Sequence, residues 1–268
     1  MPIIKDPVSR VWRIISHFSR SVYDSKGCSG KWAMCLYLGG WLRTRLDILR
    51  KRKIILLTFR ETQFFVDISR HEICPYWEMW YEKNYEAFSQ FKASEESCIV
   101  DVGGHIGFYT VRQALRAKRG HIITFEPSLE VFDRLRRNIE ANNLHNVTAI
   151  NKAVGDTQGI ANFEERKWSI NSGIVENKSE TSREVKCTRL DEVLKEMECH
   201  RIDVLKIDTE GYEENILIGA EGILDRVARI VFETHYETKR EEESVSTLLG
   251  SYGFKKIGTI GNIVYYEK

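Results

Sequence analysis

The chain has 268 residues, of which 42% are hydrophobic and 29% charged, and its net charge is +1. That balance fits a globular protein with one sizeable domain and an added segment, or two small domains, and it excludes a disordered chain. The longest apolar run, 11 residues at 32–42, falls short of the roughly 20 that a bilayer span needs, so no membrane crossing is expected.

The small net charge hides an asymmetry. Residues 1–53 carry 12 Lys and Arg against 3 acids, a balance of +9, leaving 28 against 36 and a balance of −8 for the remainder. A basic head on an acidic body is expected to meet an anionic partner or the body itself. Pro2, Lys5, Asp6 and Pro7 interrupt any signal-peptide pattern. Asp6-Pro7 opens a predicted helix with Val8, Val11, Trp12, Ile15, Phe18 and Val22 on one face. It reads either as a helix docked on the main domain or as an interfacial helix on anionic lipid. The six cysteines show no C-x-x-C pair and no metal spacing with His, so reduced thiols in a cytoplasmic protein are expected, with peripheral membrane contact as the variant reading.

Residues 54–59 and 64–68 read as a hairpin around Arg60-Glu61-Thr62-Gln63. Residues 75–91 are predicted as an aromatic docking helix, with Glu78, Glu82 and Glu86 on its other side. From residue 97 strands and helices alternate. Strands are expected at 98–102, 121–125, 147–151, 204–208 and 227–233. Helices are expected at 107–118, at 128–142 with Ser128 as cap, and at 190–198, 213–220 and 237–249. Residues 155–187 look like an inserted β-excursion, and 254–259 with 263–267 close as a terminal strand pair. Repeated βα units predict a mostly parallel α/β sheet with an antiparallel C-terminal pair. The expected division is an N-terminal helical and hairpin extension over 1–95 and a catalytic domain over 96–268.

The chemistry gathers at the strand ends. Such sheets deliver ligand contacts at the carboxyl ends of their strands. The residues there are Asp101, Glu126, Asn151, Asp208 and Glu233, four of them acids. Buried strand ends do not collect carboxylates for stability. Asp101 leads into the turn Gly103-Gly104-His105-Ile106-Gly107, and Glu126 follows Gly107 by 19 residues, the spacing of an acid that holds a ribose diol. The glycines do not fit G-x-G-x-x-G, which argues against a pyrophosphate, and Asp101 favours a ligand with a cationic amino group.

D-V-G-G-H-I-G followed by F-E-P resembles motifs I and II of class I methyltransferases. Ile207-Asp208-Thr209-Glu210-Gly211-Tyr212-Glu213, preceded by Asp203-Val204-Leu205-Lys206, is similar to the hallmark of the FkbM methyltransferase family. Asn151-Lys152-Ala153-Val154-Gly155-Asp156, Thr188-Arg189-Leu190-Asp191 and Phe232-Glu233-Thr234-His235 match it in order and spacing. The resemblance covers roughly residues 80–268 and implies a Rossmann-like fold and S-adenosyl-L-methionine as cofactor. It implies cofactor contacts at Asp101, Gly103, Gly104, His105, Gly107, Glu126, Pro127, Asn151 and Ala153. Position 105, commonly Asn in the family, is His105 here, whose imidazole still donates a hydrogen bond. The implied reaction is in-line methyl transfer to a hydroxyl of a sugar, glycolipid or natural product, aided by positioning and a base. Candidates for that base are Asp208, Glu210, Glu233 and His235, the last because an imidazole ordinarily titrates near working pH. No metal and no nucleic acid is expected. A non-catalytic S-adenosylmethionine-binding partner protein and a nicotinamide oxidoreductase are the competing readings.

Overall fold

The computed structural model describes residues 54–59, 61–67, 70, 72, 74–77, 79–80, 84–166, 172–175, 178–235 and 239–268. The basic head and its expected helix lie outside the described residues. No described helix is long and apolar enough to cross a membrane.

The hairpin pairs β1 (Ile54–Phe59) with β2 (Thr62–Asp67), in register from Ile54↔Asp67 to Phe59↔Thr62. Its second strand would be an open edge, but two asparagines one helical turn apart cover it. Asn138 Oδ1 accepts from the Phe65 amide at 2.6 Å and Asn142 Oδ1 from the Gln63 amide at 2.9 Å, while both side-chain amides donate back to the carbonyls of the same residues. Gln63 and Phe65 alternate along the strand, so their backbone groups face the same way and both are satisfied.

The expected aromatic helix is the clearest departure. The described residues hold a helical turn, α1 (Cys74–Trp77), with Met79 and Trp80 also helical, of the wider π type, and a 3-10 turn at Ser89–Phe91, with turns and bends between residues 84 and 88. A continuous helix would have put Glu86 on its outer face. Instead Glu86 is 3% exposed and takes hydrogen bonds from Arg112, Gln113 and Arg116. Burial alone would raise its pKa, but the two guanidiniums hold it below the ordinary value. That buried ion cluster overrides the local helical pattern.

The central sheet is built as the apolar runs predict. In chain order come β3 (Cys98–Val102), α2 (Phe108–Ala114), β4 (His121–Phe125), α3 (Leu129–Ala141) and β5 (Val147–Ile150). A separate four-stranded sheet follows, with β6 (Ala153–Val154), β7 (Gly159–Glu164), β8 (Gly173–Val175) and β9 (Ser182–Thr188) in the order β6-β9-β7-β8. The chain then resumes with α4 (Leu190–Glu196), β10 (Val204–Ile207), α5 (Glu213–Ile218), β11 (Arg229–Glu233), α6 (Lys239–Ser251), β12 (Lys255–Ile260) and β13 (Ile263–Glu267). The seven-stranded order is β12-β13-β11-β10-β3-β4-β5, parallel except where β13 runs against its two neighbours. The Rossmann-like sheet with an antiparallel C-terminal pair is therefore present. Ser128 starts α3 but makes no side-chain cap; its hydroxyl donates to Glu165 at 3.0 Å instead.

Both faces of the sheet are covered, which is why its strands read as apolar runs. Ile99, Val204 and Val231 share one cluster with Leu57 and Phe64 of the hairpin and Val111 of α2. Val100, Val102, Leu205 and Ile207 share the other with Leu194, Leu217 and Leu249. Each such side chain contributes about 1.5–3 kcal/mol by leaving water. Two residues break the runs, Asp101 in β3 and Lys206 in β10. The parallel register sets them directly opposite each other on the hairpin face.

Candidate active site and cofactor cavity

That register pair is the keel of the site. Lys206 is 1% exposed and Asp101 is fully buried, with Nζ 2.9 Å from the Asp101 carboxylate. The same ammonium donates to the Gly103 carbonyl at 2.8 Å and lies 3.5 Å from Asp208. It also sits over the Tyr85 and Tyr109 rings. Burial would pull the Lys206 pKa down, but Asp101 and Asp208 outweigh it and hold it above the ordinary value. Asp101 accepts in addition from Thr110 at 2.6 Å. It thus lies beneath the glycine turn, off the cavity wall.

The glycines are required by packing between elements as much as by any ligand. A Cβ on Gly103 would stand 1.9 Å from the Asp208 carbonyl oxygen, and one on Gly104 would stand 2.1 Å from Thr124 Oγ1. Gly107 opens α2 at φ 95, and a Cβ there would meet Leu135 at 2.7 Å. The turn is thereby pressed between β4, β10 and α3, with the Gly103 and Gly104 amides both donating to the Phe125 carbonyl. His105 occupies the left-handed region at φ 49, where His, like Asn, is enriched. Burial, with the Arg134 charge, pushes its imidazole down to about 3, so the ring is neutral.

Above the turn lies a cavity of about 240 Å³. Among the residues expected to form the site, Gly103, Gly104, His105, Glu126, Pro127, Ala153, Asp208, Glu210 and Glu233 line it. Gly107, Asn151 and His235 stand behind that wall, with Asp101. Asn151 donates to the carbonyls of Glu126 and Pro127 at 2.8 and 3.0 Å and so fixes the loop that carries them. Tyr109, Phe163 and Ser172 to Ile174, which the sequence did not mark as contacts, also line it, as does Lys152 beside Ala153.

At one end Glu126 accepts from the backbone amides of His105 at 3.0 Å and Ser128 at 2.9 Å. Burial pushes its carboxyl up to about 7 despite those two bonds. At the other end Glu233 accepts from Tyr85 at 3.3 Å and from the Asn262 side-chain amide. Burial and the nearby Asp208 push it up to about 7 as well. Glu210 is held at φ 56 and followed by Gly211 at φ 99, a left-handed pair that costs a non-glycine residue of the order of 1 kcal/mol. Burial raises the Glu210 pKa, against the pull of His235.

The ordinary imidazole behaviour expected of His235 does not hold. Its Nδ1 lies 3.0 Å from Glu213 and its Nε2 lies 3.6 Å from Glu210. The Glu213 hydrogen bond and these flanking carboxylates push it up to about 9. Near neutral pH it carries a proton instead of accepting one.

A model of the Methyltransferase FkbM domain matches residues 101–256, more than half of the chain. The chain belongs to the FkbM methyltransferase family. It is an S-adenosylmethionine-dependent methyltransferase. AMB antimetabolite synthetase AmbE of Pseudomonas aeruginosa is 26% identical over 60% of this chain, which spans about a tenth (10%) of that protein's length. Hexuronic acid methyltransferase AglP of Haloferax volcanii is 25% identical over 74% of this chain and 80% of its own length. Among solved structures, M. jannaschii TYW2 in complex with AdoMet is 16% identical over 81% of this chain and 85% of that chain, with a TM-score of 0.41.

The cavity's chemistry fits this family's cofactor. Glu126 has a buried carboxylate with lone pairs left for hydroxyl donors beyond its two amides.

Proposed function

We propose that this chain methylates a hydroxyl of a sugar, glycan, glycolipid or natural product. The catalytic unit spans residues 96–268, and the 1–95 extension adds Pro75 and Met79 to the cavity wall. In this reading Glu126 takes the ribose hydroxyls of the cofactor, with Pro127 and Ala153 beside its base. Gly103, Gly104 and His105 form the floor under its methionine end. Bound S-adenosylmethionine supplies the methyl group from its sulfonium.

The observation that carries the proposal is Glu233. It is a carboxyl on the cavity wall, oriented by Tyr85 and Asn262, with a pKa of about 7. A base does its best work when its pKa lies near the working pH. Glu233 accepts the hydroxyl proton as the acceptor oxygen forms its new bond. Asp208 and Glu210 hold the acceptor from the neighbouring strand end, and protonated His235 steadies Glu210. The likeness to AglP supports a sugar acceptor.

The test is incubation of the full chain with methyl-labelled S-adenosylmethionine and a panel of glycosides and polyketide alcohols. Product analysis should place the label on oxygen. Transfer only to nitrogen or carbon would reject the proposal.

A further inference from the structure

The two cations beside the acceptor end are each engaged more closely by an acid behind the wall than by one on it. Lys206 lies 2.9 Å from fully buried Asp101 but 3.5 Å from Asp208. His235 lies 3.0 Å from Glu213, which is 2% exposed, but 3.6 Å from Glu210. Asp208, Glu210 and Glu233 therefore face the cavity with only the longer share of either positive charge. The cofactor's sulfonium and ammonium, set against its own carboxylate, bring a single net positive charge. Of the remaining cations, Lys152 lines the cavity beside Ala153, at the end given to the cofactor's base, and Arg166 pairs with Glu164 outside the lining.

We infer that the acceptor carries a protonated amine close to the hydroxyl that is methylated, so that it belongs to the amino-sugar or amino-alcohol class and departs from the hexuronic acid that names AglP, and from phosphate esters. The ammonium sits against Asp208 and Glu210. Glu233 remains free for the reacting hydroxyl. A carboxylate or phosphate in the same place would meet Asp208 and Glu210 at close range, a like-charge contact, while Lys206 and His235 are held more closely by Asp101 and Glu213. The inference rests on the methyltransferase reading of this cavity and adds the charge of its acceptor. It also separates the acceptor from the basic residues 1–53, whose anionic partner would be a different molecule.

The test is calorimetric titration of the full chain saturated with S-adenosylhomocysteine. The probes are glucosamine, glucose and glucuronate, matched in ring and differing in charge. Glucosamine should bind at least about tenfold more tightly than glucuronate, with glucose between. Glu210→Gln should shrink that gap to about threefold or less while binding of S-adenosylhomocysteine persists. Glucuronate binding as tightly as glucosamine overturns the inference, as does a gap unchanged in Glu210→Gln. Failure of every probe in a protein that binds S-adenosylhomocysteine also overturns it. Failure to bind S-adenosylhomocysteine at all overturns the cofactor reading beneath it, so the two failures are distinct.

Discussion

Replacing Lys206 by Met removes the ammonium that ties β3, β10 and the glycine turn together. The wild-type contacts are 2.9 Å to Asp101, 3.5 Å to Asp208 and 2.8 Å to the Gly103 carbonyl. Asp101 is fully buried and would be left charged, with Thr110 as its remaining side-chain donor. Breaking one side of a buried pair costs about 3–5 kcal/mol because the other charge is stranded. Asp101→Asn removes the charge it strands, and the Asn oxygen can still accept from Thr110. The double variant should therefore recover most of the loss and fall within about 2 kcal/mol of the wild type. Urea denaturation measures this. With a slope of about 2 kcal/mol per molar, Lys206→Met should lower the midpoint by about 2 M without changing the slope. A loss below about 1 kcal/mol in the single variant, or a double variant that loses the sum of both singles, would refute the pairing as the site's keel.

Three further outcomes follow from the same geometry. Glu126→Ala should weaken S-adenosylhomocysteine at least about tenfold by calorimetry, since hydrogen bonds to a buried carboxylate are lost. In the wild type that affinity should rise with pH through about 7, as Glu126 ionises. His235 is raised from 6.5 to about 9 in the fold, so its stabilisation is complete below 6.5 and disappears as pH rises through 9. His235→Gln should cost on the order of 2 kcal/mol at pH 6 in thermal or urea unfolding and almost nothing at pH 10. Equal losses at both pH values would contradict the shift.

The parallel sheet was legible because its strands are buried on both faces and so appear as unbroken apolar runs with acids at their ends. The inserted sheet was legible only as an irregular β-rich stretch. Its contribution to the cavity, Phe163 and Ser172 to Ile174, depends on a fold-back that no local pattern encodes. Residues 75–91 misled for a definite reason. Aromatic residues at helical spacing imply one packed face, yet here Tyr76 stacks on Phe59, Tyr85 meets Tyr109, and Phe88 and Phe91 meet Tyr265. Those contacts point to different elements, and Glu86 is drawn inward by two arginines. Lys206 did leave a signal: a cation inside a four-residue apolar strand demands a buried partner, and Asp101 breaks its own strand in the same way. What the sequence does not give is their register, which makes them one pair. His235 was legible as a residue of the site's edge but not in its charge, because Glu213 lies 22 residues away and reaches it only through the fold.

The measurement that bears most directly on the account is the pH dependence of kcat/KM on the acceptor the panel identifies, for the wild type beside Glu233→Gln. If Glu233 is the base, the wild-type rate should rise with pH through about 7, where its carboxyl ionises. The variant should bind S-adenosylhomocysteine normally, lose about 10²- to 10⁴-fold in rate, and lose that rise. A variant with the wild-type rate, or a wild-type profile that rises through about 9, where His235 titrates, would contradict it.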